Sequence, residues 1–132
     1  MDREEFEVQV ALGTVRPSKN NGVTRIPPSA IERRIPVNGR VHIMLHGAVT
    51  KFNGVLPRTE IKGTKYSSSH IAFVEATGLM TRESAGGNKL QYRITDVGRK
   101  AYEILTVSKE KTAMIPIEIN FERYLYHMNK NW

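Results

Sequence analysis

The chain has no cysteine, so neither a disulfide nor a thiolate metal site is open to it. No apolar run approaches the roughly 18–20 residues that a membrane span needs, and no membrane partner is expected. Catalytic signatures are missing too: there is no phosphate-cradling glycine loop with lysine, no nucleophile elbow, and no pair of carboxylates among the central apolar stretches. No enzymatic role, metal or cofactor is therefore expected. Repeats and low-complexity tracts are also absent. The first residues include Asp2, Glu4 and Glu5, the opposite of a secretory leader's basic start, so the expected compartment is the cytoplasm.

What is present fits one domain. The 132 residues are 39% apolar and 25% charged, a balance that supports a single packed core. The net charge of +7 is unevenly placed. Residues 33–100 carry twelve Lys/Arg against four acids, a local net of +8, while the remainder carries eight bases and nine acids, a net of −1. A basic field confined to one segment concentrates polyanions there, although basicity for solubility alone would give the same total.

Periodicity divides the chain into three stretches, 1–38, 39–105 and 106–132. In the first, Phe6, Val8, Val10 and Leu12 alternate with Glu7, Gln9 and Ala11, which predicts a strand over 6–12. A basic loop follows to Arg25. Ser29 and Glu32 then have capping-box spacing and predict a short helical turn over 29–34, broken by Pro36. In the second stretch Asn38 is placed to cap a helix whose apolar face is Val41, Met44, Leu45, Ala48, Val49 and Phe52, stopped at Asn53-Gly54. Val55-Leu56 is a short apolar pair, and a short helix near Ile61 follows Pro57. Another helix starts at Ser67–Ser69 and ends at Gly78. Strands over 79–83 and 89–94 flank a glycine-rich tip, and Thr95 caps a further helix bearing Val97, Ala101, Ile104 and Leu105. In the third stretch Ala113, Ile115, Ile117, Ile119 and Phe121 alternate, with Pro116 marking an edge or an interruption. A terminal helix capped by Asn120 closes the pattern.

Two patches carry a resemblance. Ile71-Ala72-Phe73-Val74-Glu75-Ala76-Thr77-Gly78-Leu79-Met80-Thr81-Arg82 looks like the end of a recognition helix and its turn into a wing. Tyr92-Arg93-Ile94-Thr95-Asp96-Val97-Gly98-Arg99-Lys100-Ala101 is similar to the place where a wing's returning strand enters the next helix. With the hairpin tip between them, they resemble winged helix-turn-helix DNA-binding proteins over about half the chain, in order and spacing. The resemblance implies an α+β fold: a winged-helix core at 39–105, with flanking N- and C-terminal strands and a C-terminal helix. The interval from Glu60 to Gly78 is shorter than usual, which requires the second helix to be a stub or the turn near Gly63 to be compressed.

That fold implies double-stranded DNA as partner and a nucleoid-associated place in the cytoplasm. The candidate contacts are Arg58, Lys62, Lys65, Tyr66, Ser67, Ser68, Ser69, His70 and Phe73 around the recognition helix, with Arg82, Lys89 and Arg93 in the wing. Helix-start hydroxyls and N–H groups suit phosphate oxygens, and basic wing residues suit the backbone or minor groove. The plainer readings are a helix cap for the serines, a solvated strand face for the wing bases and a core position for Phe73. His42 and His46 have metal-ligand spacing but no further ligand nearby. The apolar flanks predict a homodimer in which the 6–12 and 113–121 strands pair and Phe121, Tyr124, Leu125 and Met128 meet across a two-fold axis. The alternative is that these flanks cover the module's own core. Transcriptional regulation, repressor-like and of prokaryotic, plasmid or viral setting, is the leading expectation. A winged-helix module binding a protein such as a polymerase subunit, or a DNA-binding replication or partition protein, is the alternative.

Overall fold

Val41, Met44, Leu45 and Ala48 recur at intervals of three and four. They form the buried side of helix α1 (Arg40–Thr50) in the computed structural model, which describes residues 4, 5, 8, 23, 26–61 and 68–129. Its N-cap is Gly39 rather than the predicted Asn38. Asn38 instead takes a left-handed conformation (φ 61°), and its N–H donates to His42 Nδ1 at 3.0 Å, so the imidazole one turn on replaces a side-chain cap. Asn53 and Gly54, both at positive φ, end the segment as expected.

The chain then enters a three-stranded antiparallel sheet. Strand β2 (Val55–Pro57) is followed by the single turn α2 (Arg58–Ile61), by α3 (Ser68–Ala76), and by a hairpin of β3 (Met80–Gly86) and β4 (Lys89–Ile94). The short Val55-Leu56 pair finds its ladder on β4, where Leu56 lies opposite Tyr92, giving the order β2-β4-β3. A shift in pairing between Ser84 and Gly86 carries the hairpin into its turn at Gly87-Asn88. Helix α4 (Asp96–Val107) follows, its first turn capped by Thr95 Oγ1, which accepts from the Gly98 N–H at 2.9 Å.

The flanks differ from their sequence reading. Residues 32–36 are not a helical turn but strand β1 (Glu32–Pro36), paired antiparallel with β5 (Thr112–Pro116) so that Ile35 lies opposite Ala113. An isolated turn gains little from a capping box, whereas a ladder buries Ile35 and half-buries Arg33 while Glu32 and Arg34 face outward. Pro36 and Pro116 are tolerated because each stands at the end of a strand in a two-stranded sheet. The predicted strand over 6–12 is contradicted where it is described: Val8 is helical, as are Glu4 and Glu5, and the rest of that stretch lies outside the described residues. Glu is a good helix former, and Glu4 and Val8 are one helical turn apart. Among the described residues β5 pairs with β1; the expected pairing of 6–12 with 113–121 falls, apart from Val8, outside them. The second predicted strand stops at Pro116, and 117–120 cross instead to the end of α3, where the Glu118 N–H reaches Thr77 O at 3.0 Å and the Asn120 N–H reaches Ala76 O at 2.9 Å.

Helix α5 (Phe121–Asn129) begins with the predicted Asn120 cap, whose Oδ1 accepts from the Arg123 N–H at 3.2 Å. It packs on α3. Met44 and Leu45 of α1, Val74 of α3, Ile94 of β4, Leu105 of α4, Ile115 of β5 and Tyr124 of α5 all belong to one buried cluster. The flanks therefore share the core of the central stretch. No helix among the described residues is long and apolar enough to cross a membrane.

Candidate nucleic-acid interface

Helix α3 has little side chain to offer outward. Ile71, Ala72, Val74, Glu75 and Ala76 are buried between α1, the hairpin and α5. Ser69, His70 and Phe73 are half-buried and fall on one stripe, since 69 and 73 are one turn apart and 70 lies beside them. These are three of the residues expected from the sequence, and Phe73 proves to be a boundary position. Ser68 begins the helix. Lys62, Lys65, Tyr66 and Ser67 lie outside the described residues. Burial, then the charge of Arg40 at the start of α1, pushes the His70 imidazole below its ordinary pKa. Arg40 therefore stands close to the stripe, although the sequence pattern did not single it out.

The three bases expected from the sequence to lie in a wing do not act together. In the β3–β4 register Arg82 lies opposite Tyr92, on the face shared with Met80 and Ile94, while Arg93 points to the opposite face with Glu83 and Gln91. Arg93 grips Glu83 through two hydrogen bonds, Nη2 to Oε1 at 2.8 Å and Nε to Oε2 at 3.2 Å, and Gln91 adds a third at 2.6 Å. These bonds hold the Glu83 carboxyl below its ordinary pKa and compensate the Arg93 charge. Lys89 is exposed at the hairpin tip. Arg58, half-buried at the start of α2, shares a cleft with Arg82.

Sequence reasoning missed a buried charge cluster behind α3. Glu75 is 1% exposed, and its Oε2 accepts from Arg123 Nε at 3.1 Å and Nη2 at 2.9 Å and is also hydrogen-bonded to His127 Nε2. Burial alone would push this carboxyl up; the hydrogen bonds from His127 and Arg123 overcome it and hold Glu75 below its ordinary pKa. Two signals were available in the sequence: an acid inside an otherwise apolar helical stretch, and an Arg123/His127 pair at i,i+4 on α5.

The His42/His46 pair is occupied by hydroxyls. His42 Nε2 lies 3.3 Å from Thr106 Oγ1 and His46 Nδ1 lies 2.8 Å from Tyr102 Oη. No group of three metal-type ligands occurs among the described residues. Of the side chains expected across a two-fold axis, Tyr124 and Met128 are each 2% exposed within the single chain, and Phe121 and Leu125 are half-buried against the same core. The Tyr124 hydroxyl donates to Ile26 O at 2.5 Å, which ties α5 to the segment before β1. These two residues face inward because the amphipathic face of α5 is needed to close the core over α3. No family model, curated protein or solved structure matches the chain.

Proposed function

We propose that the chain is a winged helix-turn-helix protein that binds double-stranded DNA, acting as a repressor-like transcriptional regulator. The observation that supports this best is the coincidence of charge with architecture. The +8 segment is the one that runs helix, short strand, one-turn helix, helix, glycine-tipped hairpin, helix, with strand order β2-β4-β3. In this reading α3 enters the major groove with Ser69, His70 and Phe73 outward, Arg40 and Arg58 reach flanking phosphates, and Lys89 carries the hairpin tip to the adjacent backbone. Arg93 contributes less, because Glu83 holds it. A second copy would supply the second half-site, and its contact would use side chains other than the inward-facing Tyr124 and Met128.

The test is selection of bound duplexes from a random pool, followed by affinity against salt. Regulation predicts an enriched, two-fold-related sequence. It also predicts a log–log salt slope of about −0.9 for each phosphate neutralised. The second reading, a winged-helix module for a protein partner, is favoured by the burial of most of α3, which leaves a narrow reading stripe. Salt-insensitive or absent duplex binding would select it. Enrichment of repeated sites that assemble many copies would select a replication or partition role.

A further inference from the structure

Arg58 of α2, Arg82 of β3 and Arg123 of α5 come from three separate elements and line one cleft of about 210 Å³, together with Tyr92, Tyr126 and Glu75. All three guanidinium charges act on the buried Tyr92 phenol: burial and Glu75 push its pKa up, and the arginines pull it back. Arg123 is paired with Glu75, whereas Arg58 and Arg82 make no ion pair among the described residues. The cleft therefore holds three permanent positive charges against one carboxylate.

That carboxylate is itself incomplete. Glu75 Oε2 is saturated by Arg123 and His127, but Oε1 is buried and has no hydrogen-bond partner among the described residues. A buried acceptor left without a donor costs about 1–3 kcal/mol, so the site asks for a donor as well as an anion. A ligand carrying both groups would meet both needs, its donor reaching Oε1 once the side chains that close this atom off from solvent shift aside.

We infer that the cleft binds a small phosphomonoester that also carries a hydroxyl donor. The phosphoryl oxygens would lie between Arg58 and Arg82, with the hydroxyl directed to Glu75. A carboxylate is satisfied by one guanidinium fork, whereas a phosphoryl group offers acceptor oxygens to several forks arriving from different directions. The cleft is smaller than the roughly 300 Å³ at which ordinary drug-sized sites begin, so it suits a phosphate on a short carbon chain rather than a nucleotide. The inference stands without DNA binding. If DNA binds as proposed, occupation would neutralise Arg58, one of the two arginines that reading gives to the flanking phosphates.

The experiment is calorimetric titration of the full chain with glycerol 3-phosphate, inorganic phosphate and sulfate at matched ionic strength, without nucleic acid. Glycerol 3-phosphate should bind saturably and about tenfold tighter than sulfate, a difference of about 1.4 kcal/mol, with inorganic phosphate between them. The double variant Arg58→Gln/Arg82→Gln keeps the Glu75 cluster and should fold; its affinity for glycerol 3-phosphate should fall about tenfold or more. No saturable binding, equal affinity for sulfate, or an unchanged double variant overturns the assignment. So does a wild-type chain that ignores glycerol 3-phosphate while the double variant loses duplex affinity, since the arginines would then serve a nucleic-acid backbone. Phosphate binding with no duplex binding would sink only the DNA reading.

Discussion

Gly98, in the first turn of α4, lies directly against the carbonyl oxygen of Leu79, in the turn between α3 and the hairpin. Thr95 fastens the same joint: its N–H donates to Leu79 O at 3.1 Å and its hydroxyl to Gly78 O at 2.5 Å. The two patches that carry the winged-helix resemblance thus touch, and each glycine has a steric reason. Gly78 sits at φ +74° with Glu118 backbone against it, so the same turn anchors the C-terminal flank. A Cβ at position 98 would collide with Leu79 O and stand 2.8 Å from Ile94 Cγ1. Gly98→Ala should cost about 2–3 kcal/mol in urea unfolding. Gly47→Ala, where a Cβ meets nothing within 4 Å in the middle of α1, should instead stabilise by about 0.5–1 kcal/mol. Equal effects at the two sites would mean that α4 does not dock this closely.

The Glu75 cluster sets an acid limit on stability. Its folded pKa lies below the ordinary 4.5, so its contribution is complete above that value and is lost as pH falls through the lowered one. Glu75→Gln leaves Arg123 and His127 facing a neutral group and should destabilise by about 2–4 kcal/mol at neutral pH. The gap between wild type and variant should narrow as pH falls through that lowered value, where the wild-type carboxyl takes up its proton. A gap that stays constant with pH would show that packing, not charge, holds α5 to α3.

Local signals were legible in the sequence where one element could satisfy them alone. The α1 spacing, the Thr95 and Asn120 caps and the Asn53-Gly54 stop all rest on residues close together in the chain. What failed depended on distant partners. Residues 32–36 became a strand because β5, about eighty positions on, supplies their ladder. The apolar face of α5 reads as a dimer seam, with a core lid as the alternative, and only the neighbouring α3 shows that Tyr124 and Met128 face inward. Arg82 and Arg93 looked equivalent as a pair of wing bases. The pleat of the hairpin separates them, sending one over the cleft and the other to Glu83.

A second pH window belongs to His42. Burial, followed by the neighbouring His46, lowers its pKa from the ordinary 6.5, and its unprotonated Nδ1 accepts the Asn38 N–H that stands in for the α1 cap. The stability it contributes is full above 6.5 and is lost as pH falls through the lowered folded value. Titration of the imidazole by NMR should give an apparent pKa below that of His42 in the urea-unfolded chain. His42→Gln, which does not titrate, should lose less stability than wild type between about pH 7 and pH 5. An imidazole that titrates at its unfolded value would remove this contribution.

The Glu83–Arg93 pair offers a test of the hairpin's part in the proposed DNA binding that does not disturb the core. Both side chains lie on the outward face of the hairpin, where Glu83 cancels the Arg93 charge. Glu83→Gln should free Arg93 to meet a phosphate, strengthening binding to random-sequence duplex several-fold and steepening the log–log salt slope by about 0.9. Arg93→Gln in the wild-type background should change the slope little, because that charge is already compensated. Lys89→Gln at the exposed tip should lower the slope by about 0.9 whatever occupies position 83. If the Glu83→Gln slope equals that of wild type while Lys89→Gln lowers it, the tip of the hairpin meets DNA and its outward face does not.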